Sequence, residues 1–458
     1  MNRHADLVVR GDVVMTMSDD PAVGDRIDDG AVVIQRDRIV AVTTADDAAQ
    51  RFRATDQLGG PGSIVMPGLI NGHQHLTGDR LLRSTIPDDL GLDLALERWA
   101  LPSHAAHTGD MDELSATLSL IEGVTNGITF TVEAGTVAHP ARVLDAYEAV
   151  GVGGTLGSWG WDVADGVHAG PVDEVIDRQR ASIETAAGHD RVEGWVTLVG
   201  HDLMSDELVV RASELARSLG TRITFHMSPS TGDARSYRRR TGRRPLVHLA
   251  GLGALGEHVL VAHAVHIDDA EVDVLLDHDV AVASCPWAYL RLGQQVTGSF
   301  HHPRLLRHGG RIALGCDSEN AGDAIDVLLA ARLFAGLTKD TLGAPSAFSA
   351  RRALGLATID GARALGLDHE IGSLEVGKRA DVVVVDATGP VWTPHADDPT
   401  TALVWAADGR SVRDVVASGR VVVRDGACET VDHRSLAAEA HQMHLTLVSK
   451  CGAHPRDQ

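Results

Sequence analysis

Between residues 66 and 371 the chain alternates short β-branched runs with longer stretches of helical pattern. Parallel strands need a crossover before each next strand, and a helix usually supplies it, so this alternation indicates β/α units. Eight candidate strands predict an α/β fold of the (β/α)₈ TIM-barrel type. They lie at 69–75, 126–132, 152–157, 194–200, 221–227, 258–264, 279–285 and 311–316. An open doubly wound sheet is the alternative, but no dinucleotide glycine fingerprint follows the first strand.

The two ends of the chain share a different pattern, in which short β-type runs are separated by Gly and Asp. DLVVRGDVVMTM lies near the start, and VRDVVASGRVVVRDG lies near the other end. Such runs are typical of small antiparallel sheets. We therefore predict that residues 1–65 and 372–430 together build a small β-sandwich. The same reasoning assigns 66–371 to the barrel and 431–458 to a C-terminal helix and tail.

The formal net charge of −22 limits the partners of this chain. A strongly acidic surface repels nucleic acid and anionic lipid, and the one basic cluster, at 235–244, is interpreted as a solvated loop. No apolar run is long enough to cross a bilayer, and because the first residues include no apolar h-region we expect no secretory signal. The four cysteines are widely spaced without a CxxC pair, which argues against disulfides or a thiolate zinc site. We expect a cytoplasmic protein with a small-molecule substrate and neither nucleic-acid nor membrane partners.

Histidines and one aspartate occupy the ends of four predicted strands. The first strand ends in His73-Gln74-His75, the fifth at His226, the sixth at His263 and the eighth at Asp317. Residues i and i+2 of a strand point to the same side, and barrel active sites lie at the C-terminal strand ends. These side chains are therefore expected to converge. Imidazole and carboxylate together suit Zn²⁺ or Fe²⁺.

Motifs along almost the whole chain resemble those of the amidohydrolase superfamily. They include MPGLINGHQHL at 66–76, LVAHAVHIDDAEVDVL, ASCPWAYLRLG, IALGCDSE and ATIDGARALGLDHEIGSLEVGKRADVVVVD, in the expected order. The similarity is greatest to the branch of cytosine and guanine deaminases and chlorotriazine hydrolases. This resemblance implies a metal-dependent hydrolase of a C–N bond, and specifically an aminohydrolase of a purine, pyrimidine or s-triazine. A homo-oligomer is expected by analogy alone.

The resemblance also implies roles for individual residues. Its metal ligands correspond to four residues of this sequence, namely His73, His75, His226 and Asp317. His263 matches the catalytic histidine, and Asp317 is expected to accept a proton from water and pass it to the leaving group. Binuclear relatives carry a carboxylated lysine on a central barrel strand, and this chain has no lysine at a predicted barrel mouth. One divalent ion is therefore expected, Zn²⁺ first and Fe²⁺ second.

Pro229 is a departure from the pattern of the deaminase branch. There, a glutamate commonly follows the fifth-strand histidine by three positions and carries a proton to a ring nitrogen, which proline cannot do. Asp233 and Glu319 are the candidate replacements. Because the shuttle is missing, hydrolysis of an amide, a cyclic amide or a ring C–Cl bond is the alternative function.

Loops that follow the strands supply the candidate substrate contacts. The long loop after the first strand provides Arg83 and Trp99, His201 ends the fourth strand, and Trp287 follows the seventh. Large aromatic rings suit a planar ligand, although core packing is an equal expectation for both tryptophans.

Overall fold

A computed structural model describes residues 3–451 except Asp165. The predicted barrel is confirmed, with one parallel strand at each of the eight expected places. Among the described residues the barrel strands are Leu69–Gln74, Ile128–Glu133, Gly153–Leu156, Val192–Gly194 with Val196–Gly200, Ile223–Met227, Val259–His263, Ala281–Ser284 and Ile312–Leu314. Their side chains are almost all buried, as expected for parallel strands covered on both faces.

The barrel closes through backbone hydrogen bonds between its first and last strands. Amide N–H groups of Cys316 and Asp317 both donate to the His73 carbonyl oxygen, at 3.1 and 3.0 Å. The fourth strand is interrupted at Trp195, so that its first part pairs with the third strand and its second part with the fifth. Closure brings the histidine pair of the first strand next to the aspartate that follows the eighth.

Helices follow the strands around the outside of the barrel. They begin with side-chain caps where the sequence provides them, as at Ser205 and at Asp268, which forms a capping box with Glu271. The helices of the barrel segment are Leu92–Ala95, Leu101–Ala106, Gly109–Thr125, Pro140–Val150, Val172–Ala186, Asp206–Leu219, Gly232–Thr241, Pro245–Gly251, Asp269–Asp277, Pro286–Arg291, His302–Arg307, Val327–Leu342, Ala350–Leu356 and Ile359–Leu365.

The two chain ends form one eight-stranded sheet beside the barrel. Its strands are Arg3–Met15, Arg26–Gln35, Arg38–Thr44, Phe52–Pro67, Val382–Asp386, Val412–Ala417, Arg420–Arg424 and Ala427–Cys428. Strand Phe52–Pro67 joins the two halves, because it pairs parallel with Arg3–Met15 and antiparallel with Val382–Asp386. The chain ends therefore combine as expected, while the division into domains at 65/66, 371/372 and 430/431 stays a prediction.

Helix His433–Lys450 packs against the loop that follows the first barrel strand. Its His444 donates from Nδ1 to the Leu81 carbonyl oxygen at 2.7 Å, and its Leu447 is buried in an apolar cluster of that loop. Short helices Ala45–Arg51 and Thr400–Trp405 complete the sheet segments. The tail predicted beyond this helix, residues 452–458, lies outside the described residues. Within residues 3–451 no helix has both the length and the apolarity to span a membrane.

Candidate metal centre

Five side chains from four strand ends meet at the mouth of the barrel. His75 Nε2 lies 3.2 Å from His226 Nε2 and 3.4 Å from Asp317 Oδ1, and His73 Nε2 lies 3.8 Å from the same oxygen. Ligand atoms of His73, His226 and His263 lie within 4.8 Å of one another, as do those of His73, His75 and Asp317. The predicted strand-end residues thus surround one point, as a cation with four or five ligands requires.

The backbone turns sharply where these side chains leave the strands. His263 and Asp317 have left-handed φ angles of 78° and 66°, and Ser228, just after the fifth strand, has 53°. Such angles in non-glycine residues cost about 1–3 kcal/mol each and persist only where the surroundings hold them. Strained backbone at three strand ends therefore coincides with the converging side chains.

The imidazoles carry free nitrogen atoms suited to a cation. His73 is 1% exposed, and neither of its ring nitrogens has a hydrogen-bond partner among the described residues. His226 Nδ1 donates to the Val199 carbonyl oxygen at 2.8 Å, which leaves Nε2 as the free lone pair. Unpaired buried polar atoms are costly, and metal coordination accounts for them. The residues present therefore fit a divalent ion.

Three imidazoles and the carboxylate of the cluster have the charge states that metal ligands need, whereas at His75 burial is outweighed by the hydrogen bond to Asp317, which raises the pKa of the ring. Burial holds the pKa of His73 and His226 well below the usual value and lowers that of His263 to about 4, so these rings are neutral. Burial opposes ionisation of Asp317, but the His75 hydrogen bond and the neighbouring imidazoles outweigh it and lower its pKa. Neutral imidazole and ionised carboxylate are the ligand forms that bind Zn²⁺ or Fe²⁺.

His201 and Asp233 form a hydrogen-bonded pair beside the centre. Asp233 Oδ2 accepts from His201 Nδ1 at 2.9 Å and from the Ser228 amide at 2.6 Å. The His201 ring stacks on His226, with ring centres 5.7 Å apart and planes 23° apart. Burial favours the neutral ring, but Asp233 outweighs it and raises the pKa of His201. Asp233 thus fixes the orientation and tautomer of a histidine at the mouth.

Glu319 is buried behind the first strand and is hydrogen-bonded there by other side chains. Ser119 Oγ donates to one carboxylate oxygen, and Gln74 Nε2 donates to the other at 3.5 Å. Burial raises the pKa of Glu319 to about 7, with Arg80 acting against that shift. Gln74 is therefore turned toward this network, as its position between two ligands suggests, and the substrate role of Glu319 stays a prediction.

The loop residues expected near substrate have protein partners in the structure. Arg83 contacts the Glu122 carboxylate and the Asp323 carbonyl oxygen. Trp99 is 5% exposed and packs in the apolar cluster that includes Leu447. Trp287 is partly exposed in helix Pro286–Arg291, directly after the seventh strand. Their contact with a substrate stays a prediction.

Other polar residues at the mouth were not singled out from the sequence. Glu133 ends the second barrel strand and accepts from the Gly135 amide at 2.6 Å, and its burial raises its pKa to about 7. His302 donates from Nε2 to the His263 carbonyl oxygen at 2.8 Å and thereby supports that strand end. The strand-end argument could have found Glu133, because the predicted second strand stopped only one residue earlier. Nothing in the sequence pattern distinguishes His302.

Comparisons with known proteins show what the whole chain is similar to. The profile of the amidohydrolase family matches residues 64–422. A 5-methylthioadenosine/S-adenosylhomocysteine deaminase of Syntrophobacter fumaroxidans is 32% identical over 92% of this chain and 93% of its own length. A 5'-deoxyadenosine deaminase of Methanothermobacter thermautotrophicus is 30% identical, over 91% of this chain and 95% of its own. The solved structure of an adenosine deaminase from Xanthomonas campestris with bound zinc has a TM-score of 0.91 and 26% identity, covering 98% of this chain and 100% of that one.

Proposed function

The chain belongs to the amidohydrolase family, and we propose that it is a mononuclear metal-dependent aminohydrolase that removes an amino group from a nitrogen heterocycle. Two of its relatives deaminate adenine nucleosides with an altered 5' group. Such nucleosides are the first candidate substrates, ahead of pyrimidines and s-triazines. The observation that carries this proposal is the convergence of four side chains of metal-ligand type in a chain so similar to deaminases.

We assign the ligands of one divalent ion, Zn²⁺ before Fe²⁺, to the first, fifth and eighth strand ends. They are His73, His75, His226 and Asp317. When bound, the ion would supply the nucleophile, because it lowers the pKa of water to about 7. The positions of the three lysines support a single ion, because none of them supplies the carboxylated lysine that binuclear relatives carry on a central barrel strand. Lys378 Nζ donates to the Asp368 carbonyl oxygen, Lys339 lies over Trp405, and Lys450 ends the C-terminal helix.

Asp317 and His263 perform the proton and charge chemistry in this proposal. Asp317 accepts a proton from the attacking water and passes it to the leaving amine, as an ionised carboxylate beside the reacting atoms can. The Nδ1 atom of His263 lies 3.9 Å from Asp317 Oδ2, and His263 stabilises charge that develops at the attacked centre. Burial excludes bulk water, which strengthens both interactions.

The pair of His201 and Asp233 is our candidate for the function that Pro229 cannot supply. Asp233 raises the pKa of His201, so the ring can present a proton from Nε2 to a ring nitrogen of the substrate. We expect Asp233→Asn to lower kcat/KM by about 10²-fold, because the histidine loses both its orientation and its charge support. The pH profile of kcat/KM is the measurement. A profile unchanged from that of the parent protein would contradict the assignment and favour a packing role.

Ammonia release from a panel of compounds tests the proposed function. The panel contains 5'-methylthioadenosine, S-adenosylhomocysteine, 5'-deoxyadenosine, adenosine, guanine, cytosine, an aminotriazine, a chlorotriazine and a cyclic amide. We expect ammonia from at least one adenine nucleoside, with loss of activity in chelator and recovery on adding Zn²⁺. No ammonia from any aminoheterocycle would reject deamination.

Hydrolysis of an amide, a cyclic amide or a ring C–Cl bond is the second candidate. Pro229 favours this candidate, because those reactions do not require the enzyme to place a proton on a ring nitrogen of the substrate. Turnover of the cyclic amide or release of chloride from a chlorotriazine, without ammonia from any amine in the panel, would support this candidate over the first.

A further inference from the structure

A second group of possible metal ligands shares Asp317 with the centre described above. One ring nitrogen of His263, the Cys285 sulfur and one Asp317 oxygen lie within 4.8 Å of one another, and all three residues are buried. Cys285 follows the seventh barrel strand, Ala281–Ser284. Neither the proposed ligand set nor the proposed proton chemistry uses this thiol.

One further observation points to a ligand at this group, and a second explains how the thiol fits beside it. His263 is 5% exposed, and its Nδ1 has no hydrogen-bond partner among the described residues. Gly315 lies against the thiol, where an added Cβ would be 2.8 Å from both Cys285 Sγ and His73 Cβ. A side chain at Gly315 would thus push the sulfur and the first-strand histidine out of place. The glycine allows the thiol to lie beside the cluster.

The donor set selects a particular class of cation. Nitrogen, sulfur and carboxylate oxygen together bind Zn²⁺, Cd²⁺ or Co²⁺, whereas Mg²⁺ and Ca²⁺ prefer oxygen alone. Zinc bonds of about 2.0–2.3 Å place two ligands of one ion at most about 4.6 Å apart. The three donor atoms need only a small inward movement to meet that limit.

We propose that His263, Cys285 and Asp317 form a second, weaker cation subsite that binds thiophilic divalent metals. On binding, the Cys285 S–H proton passes to solvent and a sulfur–metal bond forms, so no oxidant or reductant is needed. The thiolate and the shared Asp317 carboxylate offset the charge of a cation so close to the first. An ion bound there occupies His263 and Asp317, which then can no longer stabilise charge and transfer a proton. If the proposed function holds, this ion therefore inhibits the enzyme.

Spectroscopic titration of the full chain tests the subsite. Protein that already holds one equivalent of Zn²⁺ is titrated with Co²⁺, whose bond to a thiolate gives a charge-transfer band in the near ultraviolet. We expect the band to grow with the added equivalent, to vanish in Cys285→Ser and Cys285→Ala, and to persist in Cys428→Ser, whose thiol lies in the sheet segment. A band that survives in either folded Cys285 variant, or no band in the parent protein, would overturn the proposal.

Inhibition is measured in a separate experiment, so that a failure of the proposed function can be distinguished from a failure of the proposed subsite. On an active substrate, the Cd²⁺ concentration that halves activity should rise at least tenfold in Cys285→Ser while activity without Cd²⁺ is retained. An unchanged Cd²⁺ sensitivity would reject inhibition through this subsite. If no substrate of the panel is turned over, the proposed function fails, and the cobalt band still decides whether the subsite exists.

Discussion

Asp317→Asn is expected to lower kcat by about 10³-fold or more, the largest effect of any single substitution considered for this protein. Loss of a positioned proton acceptor alone costs about 10²–10⁴-fold. The same change replaces a charged metal ligand with a neutral one, and Asp317 is the only carboxylate among the proposed ligands. The pKa of Asp317 is held low by His75 and the other imidazoles, so the parent protein carries the charge at every working pH.

The fold should survive this substitution. Asparagine retains the Oδ1 acceptor for the Ser318 amide, which lies 2.8 Å away, and the Asp317 amide still donates to the His73 carbonyl oxygen. Activity, metal content and circular dichroism are measured together, with Asp340→Asn on the exposed surface of helix Val327–Leu342 as the matched control. Asp317→Asn with near-normal turnover and full metal content would remove Asp317 from the mechanism.

His263→Ala should lower kcat by about 10²–10³-fold while the first equivalent of metal remains bound. The reason is that His263 stabilises developing charge rather than holding the ion, and one such interaction contributes about that factor. Burial keeps its ring neutral, with a pKa of about 4, so the effect should be constant across neutral pH.

Steady-state kinetics with metal analysis separates this role from ligation. His308→Ala, at an exposed histidine after helix His302–Arg307, controls for the loss of an imidazole as such. Loss of the bound metal in His263→Ala would reassign this residue as a ligand. Unchanged kcat with the metal retained would show that it has no catalytic role.

The barrel and the convergence of its strand-end side chains follow from the sequence for a simple physical reason. In a closed parallel barrel all strands end at the same face, so the His73–His75 pair and Asp317 must approach one another wherever the intervening loops run. The hydrogen bonds from the Asp317 and Cys316 amides to His73 make that approach direct. Strand identity was therefore enough to predict the cluster.

Loop residues could not be placed in the same way, because no periodicity fixes where a long loop turns. The contacts of Arg83 could not be predicted from the sequence, because Glu122 and Asp323 approach it only through the packing of distant segments. Trp99 meets Leu447 across more than three hundred residues. The spacing of the cysteines in the sequence likewise did not reveal the neighbours of Cys285, because the fold brings a nitrogen and an oxygen ligand atom to it from other strands.

The assignment of the metal ligands is best tested by a crystal structure of the metal-loaded protein, with the ion identified by anomalous scattering. We expect one strongly bound ion at the barrel mouth, within about 2.0–2.2 Å of nitrogen or oxygen atoms of His73, His75, His226 and Asp317. A structure in which the strongly bound ion has other ligands, or in which a folded and active protein holds no metal, would contradict this assignment.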